Sequence, residues 1–414
     1  MKCFDCVVIG GGAAGLMASL TASNKGLSVL LLERNSRLGN KIYLTGNGKC
    51  NYTNSDLSLD KYFSDDLKLV NKVLNCFSHK DTIAFFESIG VVPLCLHDTY
   101  YYPYSMQASS IVKALEDAVR ISGVTVICNS FVKSVAKECD DKYLLETEDS
   151  IFQAKTVIIC CGGNAVPKSG SDGNGYRLAH KLGHRREDIV PSLVPLFTEE
   201  DTSILHGVRL KAKATLFYGE EEIDFNSGEL QFTKEGISGI PVFQLSQRAI
   251  RGLNAHKDIY ICIDLIESMS NQRLEEFIRE RISFVKDAKD TYSLSLLLNG
   301  FLSEKVINYL SLKNTVLKNN VKDLTNDDIE NVVCLLKNLK FKISGYKDFK
   351  DAQVTSGGIY LDEINDDLSS KYAKGVYFAG EILNVDGLCG GYNLQWAWSS
   401  GFYAGLSAAK EVLG

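Results

Sequence analysis

Gly10, Gly12 and Gly15 stand at G-x-G-x-x-G spacing, and the acid Glu33 follows eighteen residues after the last of them. This set suits the binding of a dinucleotide diphosphate. Gly10 allows a tight turn, Gly12 lets a pyrophosphate approach the backbone, and Gly15 lets a helix press against a strand. Ala13 and Ala14 then open a helix whose amino end presents unpaired N–H groups to the phosphates. Glu33 accepts hydrogen bonds from an adenosine ribose, and an acid there disfavours a phosphate on the same hydroxyl, so FAD or NAD is expected over NADP. The glycines alone would also fit an ordinary turn. Their setting decides for the nucleotide: a buried strand over Cys6–Ile9, a helix over residues 13–25 stopped by Gly26, and a second strand over residues 28–32 that ends at the acid.

A long polar loop follows from Arg34 to Asn54. Loops of this length inside a domain are usually functional, and this one leaves directly from the ribose acid. Thr45, Gly46 and Asn47 are therefore expected along the cofactor, with Arg34, Lys41 and Lys49 available to neutralise a pyrophosphate. Downstream, helical spacing covers residues 67–89 and 107–121 and leads to a strand over 124–128. Two alternating stretches, 131–138 and 142–148, suggest an antiparallel excursion before a buried strand over 156–161 that ends in Gly162. A parallel sheet interrupted in this way is the pattern of FAD-binding domains of the glutathione-reductase kind. Val132 and Gly162 join the expected cofactor contacts. The loop Ser169–Gly183 feeds another helix and is expected near the flavin or the substrate.

From residue 191 the period becomes two. Val208, Leu210, Ala212, Ala214 and Leu216 face one way, hairpin signals stand at Tyr218-Gly219 and Asn226-Ser-Gly228, and a further strand covers 258–265. Residues 266–340 return to helical spacing, with a capping box at Thr325–Asp328 and cap positions at Ser270 and Ser303. The fold class expected is α/β: a Rossmann-like FAD domain of glutathione-reductase type with an inserted β-barrel-like domain and a helical subdomain. Its boundaries are 1–190 and 358–414 for the FAD domain, 191–265 for the β-rich domain, 266–340 for the helices, and 341–357 for a return strand.

The 414 residues carry 45% hydrophobic and 23% charged residues and a net charge of −6. Disordered and fibrous classes are excluded by that balance, and no general attraction to nucleic acid is expected. No apolar run approaches the ~20 residues of a membrane span. Lys2 precedes an apolar stretch, as in a signal peptide, but Asp5 and the glycines fit the nucleotide turn better. Twelve cysteines without a regular framework suggest reduced thiols in a cytoplasm. Cys3 and Cys6 form C-x-x-C, yet Cys6 falls in the buried strand and is read as core. The partner expected is a small-molecule substrate, with the oligomeric state left open.

The chain resembles bacterial FAD flavoproteins of the aminoacetone-oxidase or BaiN-like (YhiN-like) type. The matching blocks are Lys41–Asn54, Gly228–Thr233 with Gly236–Gly239, Thr355–Gly358, and Gly390–Gly401. Two positions depart from that pattern, Gly46–Lys49 and Cys389. The resemblance implies that Glu381, after Gly380, holds the ribityl chain. It also implies that a helix beginning near Gly391 points its amino end at the flavin ring, with Asn393 and Leu394 as backbone donors. It implies an oxidoreductase that moves hydride between FAD and a small or steroid-like substrate, with NAD(P)H as a candidate electron donor and reduction of a conjugated C=C bond as the candidate reaction. An amine oxidase of the aminoacetone type and a flavin-binding RNA-modification or regulatory protein are the alternatives. Tyr100, Tyr101, Tyr102 and Tyr104, or a group from the β-rich domain, are candidate proton donors, and no catalytic residue is assigned.

Overall fold

In a computed structural model of the chain, which describes residues 2–138, 142–285 and 291–414, Cys6, Val7, Val8 and Ile9 are all buried. A strand covered on both faces needs no polar alternation. In chain order the elements that position the site are β1 (Lys2–Ile9), α1 (Ala13–Asn24), β2 (Val29–Leu32), β3 (Tyr100–Pro103), β4 (Thr125–Ile127), β5 (Ser134–Lys137), β6 (Tyr143–Glu146), β7 (Ile151–Ile159), α2 (Asn174–Lys181), β8 (Val376–Phe378) and α3 (Tyr392–Leu413).

The sheet runs β4-β2-β1-β7-β6-β5, with β8 beside β7. One edge of β7 carries β1 in parallel from Phe152 to Ile159. The other edge is shared. Ile151–Ala154 holds β6 antiparallel, and Val157–Ile159 holds β8 in parallel. The antiparallel excursion therefore occupies only the amino-terminal part of that edge, and the parallel sheet continues through β8 at the end where the glycine turn lies, as expected for the FAD-binding type.

Helices α1 and α3 approach closely because small residues face each other. A side chain on Gly401 or Gly405 would meet the backbone of Ala14 or Ala18. Trp396 and Trp398 anchor α3 in the core, and their indole N–H groups donate to the Gly380 carbonyl at 3.1 Å and the Tyr52 carbonyl at 2.9 Å. Truncating either to Ala removes packing worth about 3–5 kcal/mol.

Two local expectations change. Residues 67–89 form two helices, Leu67–Cys76 and His79–Ser88, because Ser78 and Asp81 make a capping box that starts a new helix. Asn226-Ser-Gly228 is not a turn. It lies inside the strand Glu221–Phe232, where Gly228 pairs with Ala212 of the neighbouring strand.

The chain divides into two compact units, Met1–Ser192 with Phe349–Gly414, and Leu193–Asp348. The second unit contains a closed barrel of Leu196–Thr198, Arg209–Tyr218, Glu221–Phe232, Gly236–Gly239, Ile259–Asp264 and Leu339–Tyr346. Ala212, Ala214 and Leu216 fill it, as the alternation predicts. A helix not anticipated in the β-rich stretch, Ile240–Asn254, packs on the barrel through Leu245, Ala249 and Ile250. The helical segment leaves and returns at neighbouring barrel strands, where Ile263 pairs with Leu339. Thr325 and Asp328 form the expected capping box, and Ser270 accepts from the Arg273 N–H. Ser303 stands at a cap position without a capping bond. Residues 286–290 of this segment lie outside the described residues.

Candidate functional site

The glycine turn separates two kinds of space. A Cβ on Gly15 would overlap the Gly10 carbonyl, and one on Gly10 would come within 2.6 Å of the Cys160 carbonyl oxygen, so those glycines are demanded by protein packing. A Cβ on Gly12 would meet nothing within 4 Å. The fold keeps that volume clear beside the start of α1. The first helical bond runs from the Leu16 N–H to the Gly12 carbonyl at 2.9 Å, which leaves the N–H groups of Ala13, Ala14 and Gly15 ahead of it. This arrangement fits a diphosphate.

Glu33, buried at the end of β2, accepts from the Gly11 N–H at 2.7 Å through one oxygen, and from the Asn35 N–H at 2.8 Å and Asn35 Nδ2 at 2.7 Å through the other. A carboxylate has about four acceptor sites, so capacity for one ribose hydroxyl remains. Asn35 also donates to the Ser169 carbonyl at 2.9 Å, tying the Ser169–Gly183 loop to the ribose acid. That loop is thus placed beside Arg34 and Asn35. Arg34 pairs with Asp172 and lies 4.9 Å over the ring of Phe131. Val132 is buried next to it and accepts from Asn174 Nδ2 at 3.2 Å. Asn35 was not singled out by sequence; its position two residues after an acid is a local hydrogen-bonding signal.

Lys41 reaches Glu381 at 2.5 Å, and the second oxygen of Glu381 accepts from the Thr355 N–H at 2.7 Å. The three basic residues of the loop are therefore separated: Arg34 joins Asp172, Lys41 joins Glu381, and Lys49 is exposed. Thr45 spends its hydroxyl on the Ile42 carbonyl at 2.7 Å, and Gly46 and Asn47 both take left-handed backbone at φ 55 and 54. Gly162 faces Ser171 and lies near Glu381, while Gly380 rests on Ala14.

Gly391 caps α3, and the first helical bond is from the Gln395 N–H to the Gly391 carbonyl at 2.9 Å. The N–H groups of Tyr392, Asn393 and Leu394 precede it. The Asn393 amide spans Gly387, accepting from its N–H at 2.8 Å and donating to its carbonyl at 2.7 Å. Gln395 bonds Thr53 at 2.5 Å, and Asn54 donates to the Gly390 carbonyl at 2.9 Å. The end of the Lys41–Asn54 segment and the amino end of α3 thus form one wall.

Strand β3 sorts the tyrosines. Alternation sends Tyr100 toward Gly390 and Tyr102 toward Gly46, while Tyr104 is 70% exposed. Burial raises the pKa of Tyr100 and Tyr102, so both hydroxyls hold their protons at neutral pH. Burial also pushes the Cys389 thiol up to about 12, which keeps it from acting as a thiolate.

One cluster mimics a hydrolase. His184 Nε2 is 2.6 Å from Ser370 Oγ, and His184 Nδ1 is 3.3 Å from Glu363. All three residues are buried, and the serine oxygen accepts the N–H groups of Tyr372 and Ala373 at 3.0 and 2.9 Å. It is a brace between segments.

Sheet order, glycine turn and paired acids define a Rossmann-type dinucleotide-binding flavoprotein with an inserted barrel. The chain belongs to the HI0933-like protein Rossmann domain family, which it matches over residues 4–407. It is 34% identical to the 3-dehydro-bile acid delta(4,6)-reductase of Clostridium scindens, over 98% of each chain. It is 27% identical to the ribosomal RNA dihydrouridine synthase of Haemophilus influenzae, again over 98% of each. The 3-ketosteroid delta1-dehydrogenase of Sterolibacterium denitrificans shares the fold, with TM-score 0.52, 12% identity, and coverage of 99% of this chain and 100% of that one. Family membership and full-length kinship with a reductase make the chain an FAD-dependent oxidoreductase. Among the described residues no helix is long and apolar enough to cross a membrane.

Proposed function

We propose that the protein reduces a C=C bond conjugated to a carbonyl in a steroid-like substrate, with NAD(P)H as electron donor. The observation that carries this reading is the 34% identity, across nearly the full length of both chains, with a bile-acid delta(4,6)-reductase. Bound FAD supplies hydride. The remaining work belongs to the chain. Gly12, Ala13, Ala14 and Gly15 receive the diphosphate, Glu33 the ribose, and Glu381, oriented by Lys41 and Thr355, the ribityl hydroxyls. With FAD bound, the amino end of α3 would offer three N–H groups and the positive helix pole to negative charge that grows on reduction. Tyr100 and Tyr102 hold the proton for the carbon next to the carbonyl.

A second reading is favoured by the 27% identity with the ribosomal RNA enzyme. The uridine ring double bond is also conjugated to a carbonyl, so the same chemistry serves a different substrate, although a net charge of −6 offers RNA little attraction. The test is anaerobic. Photoreduced holoenzyme is mixed with a 3-dehydro-bile acid carrying the delta(4,6) double bonds, with unmodified ribosomal RNA, or with amines in air after reoxidation. Rapid flavin reoxidation by the steroid, with gain of two hydrogens in the product, is expected. Reoxidation by RNA alone selects the second reading, and amine-dependent oxygen uptake selects an oxidase.

A further inference from the structure

The site above leaves unused a cleft of about 460 Å³ along α2, lined by Asn164, Tyr176, Arg177, His180, Arg185 and Arg186 among others. None of Gly10–Gly15, Glu33, Lys41 and Glu381 lines it. Its size is that of a small-molecule pocket. Arg185 is committed to Glu363 at 2.6 Å, and Asp172 on the rim to Arg34. Arg177 and Arg186 have no carboxylate partner among the described residues: the first donates to Asn174 Oδ1 at 2.6 Å and the second to the Glu187 carbonyl at 3.2 Å. Arg186 also lies 5.5 Å over the ring of Tyr176. Tyr176 is 7% exposed, yet its hydroxyl has no hydrogen-bond partner. A buried hydroxyl in that condition destabilises a fold unless something supplies the missing partner.

We propose that this cleft is a phosphate-recognition site for a nucleotide, bordering the FAD site. Arg177 and Arg186 bind the phosphate by their guanidinium forks, and the Tyr176 hydroxyl donates to the ligand. The cleft adjoins the flavin cradle at Asp172, at Tyr176, whose hydroxyl pKa is raised by burial and by the nearby Glu381 charge, and at Asn164. The Asn164 N–H donates to Thr355 Oγ1 at 2.7 Å, and the Thr355 N–H donates to Glu381. The nucleotide is either the reducing dinucleotide, which rests on the proposed function, or a nucleoside diphosphate, which does not.

The test uses FAD-saturated protein and calorimetric titration with inorganic pyrophosphate, NADP⁺, ADP and, as a carboxylate control, cholate. Saturable binding of pyrophosphate and of a nucleotide is expected, weakened about tenfold or more by Arg177→Ala and by Arg186→Ala with FAD content unchanged. Tighter NADP⁺ than ADP identifies the electron donor; the reverse identifies a nucleotide ligand independent of the steroid reading. Tyr176→Phe should weaken binding several-fold while holding or raising the melting temperature of the unliganded holoprotein. The proposal is overturned by absent binding, by binding of cholate alone, by indifference to the arginine variants, by loss of FAD from them, or by a lower melting temperature in Tyr176→Phe.

Discussion

Lys41 Nζ lies 2.5 Å from Glu381 Oε2, joining the loop after β2 to the segment after β8 across 340 residues of chain. Their side chains are 25% and 19% exposed. Removing one partner leaves a charge in a half-dry site, which costs more than removing both. Lys41→Met and Glu381→Gln are each expected to weaken FAD binding by about 1.5–3 kcal/mol, the range for hydrogen bonds to charged groups. The double variant should lose less than the sum. A double-mutant cycle read by FAD titration, with a coupling near zero, would show that the pair does not act as a unit.

The open volume at Gly12 and the closed one at Gly15 give opposite outcomes for superficially similar changes. Gly12→Val should fold and melt like the parent but purify without yellow colour, whereas the parent releases noncovalent FAD on denaturation. Gly15→Ala forces the Gly10 carbonyl to move and should lower stability by about 1–3 kcal/mol before any cofactor is considered. Urea unfolding alongside flavin quantitation separates the two.

Stability should fall with acid in a window set by His184 and Glu363. Burial lowers the His184 pKa from 6.5, with Glu363 opposing, so the native state holds the ring neutral. That contribution is complete above about pH 6.5 and declines below it, because the unfolded chain takes the proton first. For Glu363, burial pushes upward, but the backbone and guanidinium N–H groups of Arg185 outweigh it and bring the pKa below 4.5. Its contribution is present above about pH 4.5 and is lost as pH falls through the lower native value. Unfolding free energy measured from pH 8 to 4 should bend near 6.5 in the parent and bend less in His184→Gln, where His79, whose pKa burial also lowers, supplies the remainder.

Tyr100 and Tyr102 share a strand face, and Tyr104 points into solvent. Tyr100→Phe/Tyr102→Phe should slow single-turnover reduction of substrate by about 10²-fold or more, the usual scale of general acid catalysis, with FAD content intact. Tyr104→Phe should leave it unchanged. Equal rates in all three proteins would move proton donation elsewhere.

The helical segment departs and returns where Ile263 pairs with Leu339 and where the Leu265 N–H donates to the Leu336 carbonyl at 3.0 Å. Residues 267–335 should therefore be replaceable by a short Gly/Ser turn. The shortened protein is expected to keep one FAD, since every residue proposed to hold the cofactor lies in the other unit, and to show an altered KM. It should also be less stable, because Tyr309 stacks 6.1 Å from the buried ring of Phe341. A folded variant without flavin would assign the segment to the cofactor site.

Sequence alone determined what depends on short range. The turn Gly10–Gly15, the alternation of Ala212, Ala214 and Leu216, and the capping box at Thr325–Asp328 are each set by spacing within a few residues, because backbone geometry repeats every two or 3.6 residues, and Glu33 follows the turn within one strand–helix–strand unit. The split at Ser78 was legible in its cap but was masked by apolar spacing that continues on both sides. The strand through Asn226–Gly228 was hidden because Asn, Ser and Gly together carry the composition of a turn, while the pairing of Gly228 with Ala212 is a tertiary choice. Tertiary structure alone decided that Lys41 meets Glu381 rather than Arg34 and Lys49, that Tyr101 packs on the core while Tyr100 and Tyr102 lie against Gly390 and Gly46, and that Ser370, His184 and Glu363 gather as a brace. These pairings join residues up to 340 positions apart. Such contacts are selected by the packing of whole elements, above all α3 against α1 through Gly401 and Gly405, and no local periodicity encodes which distant partner a side chain will meet.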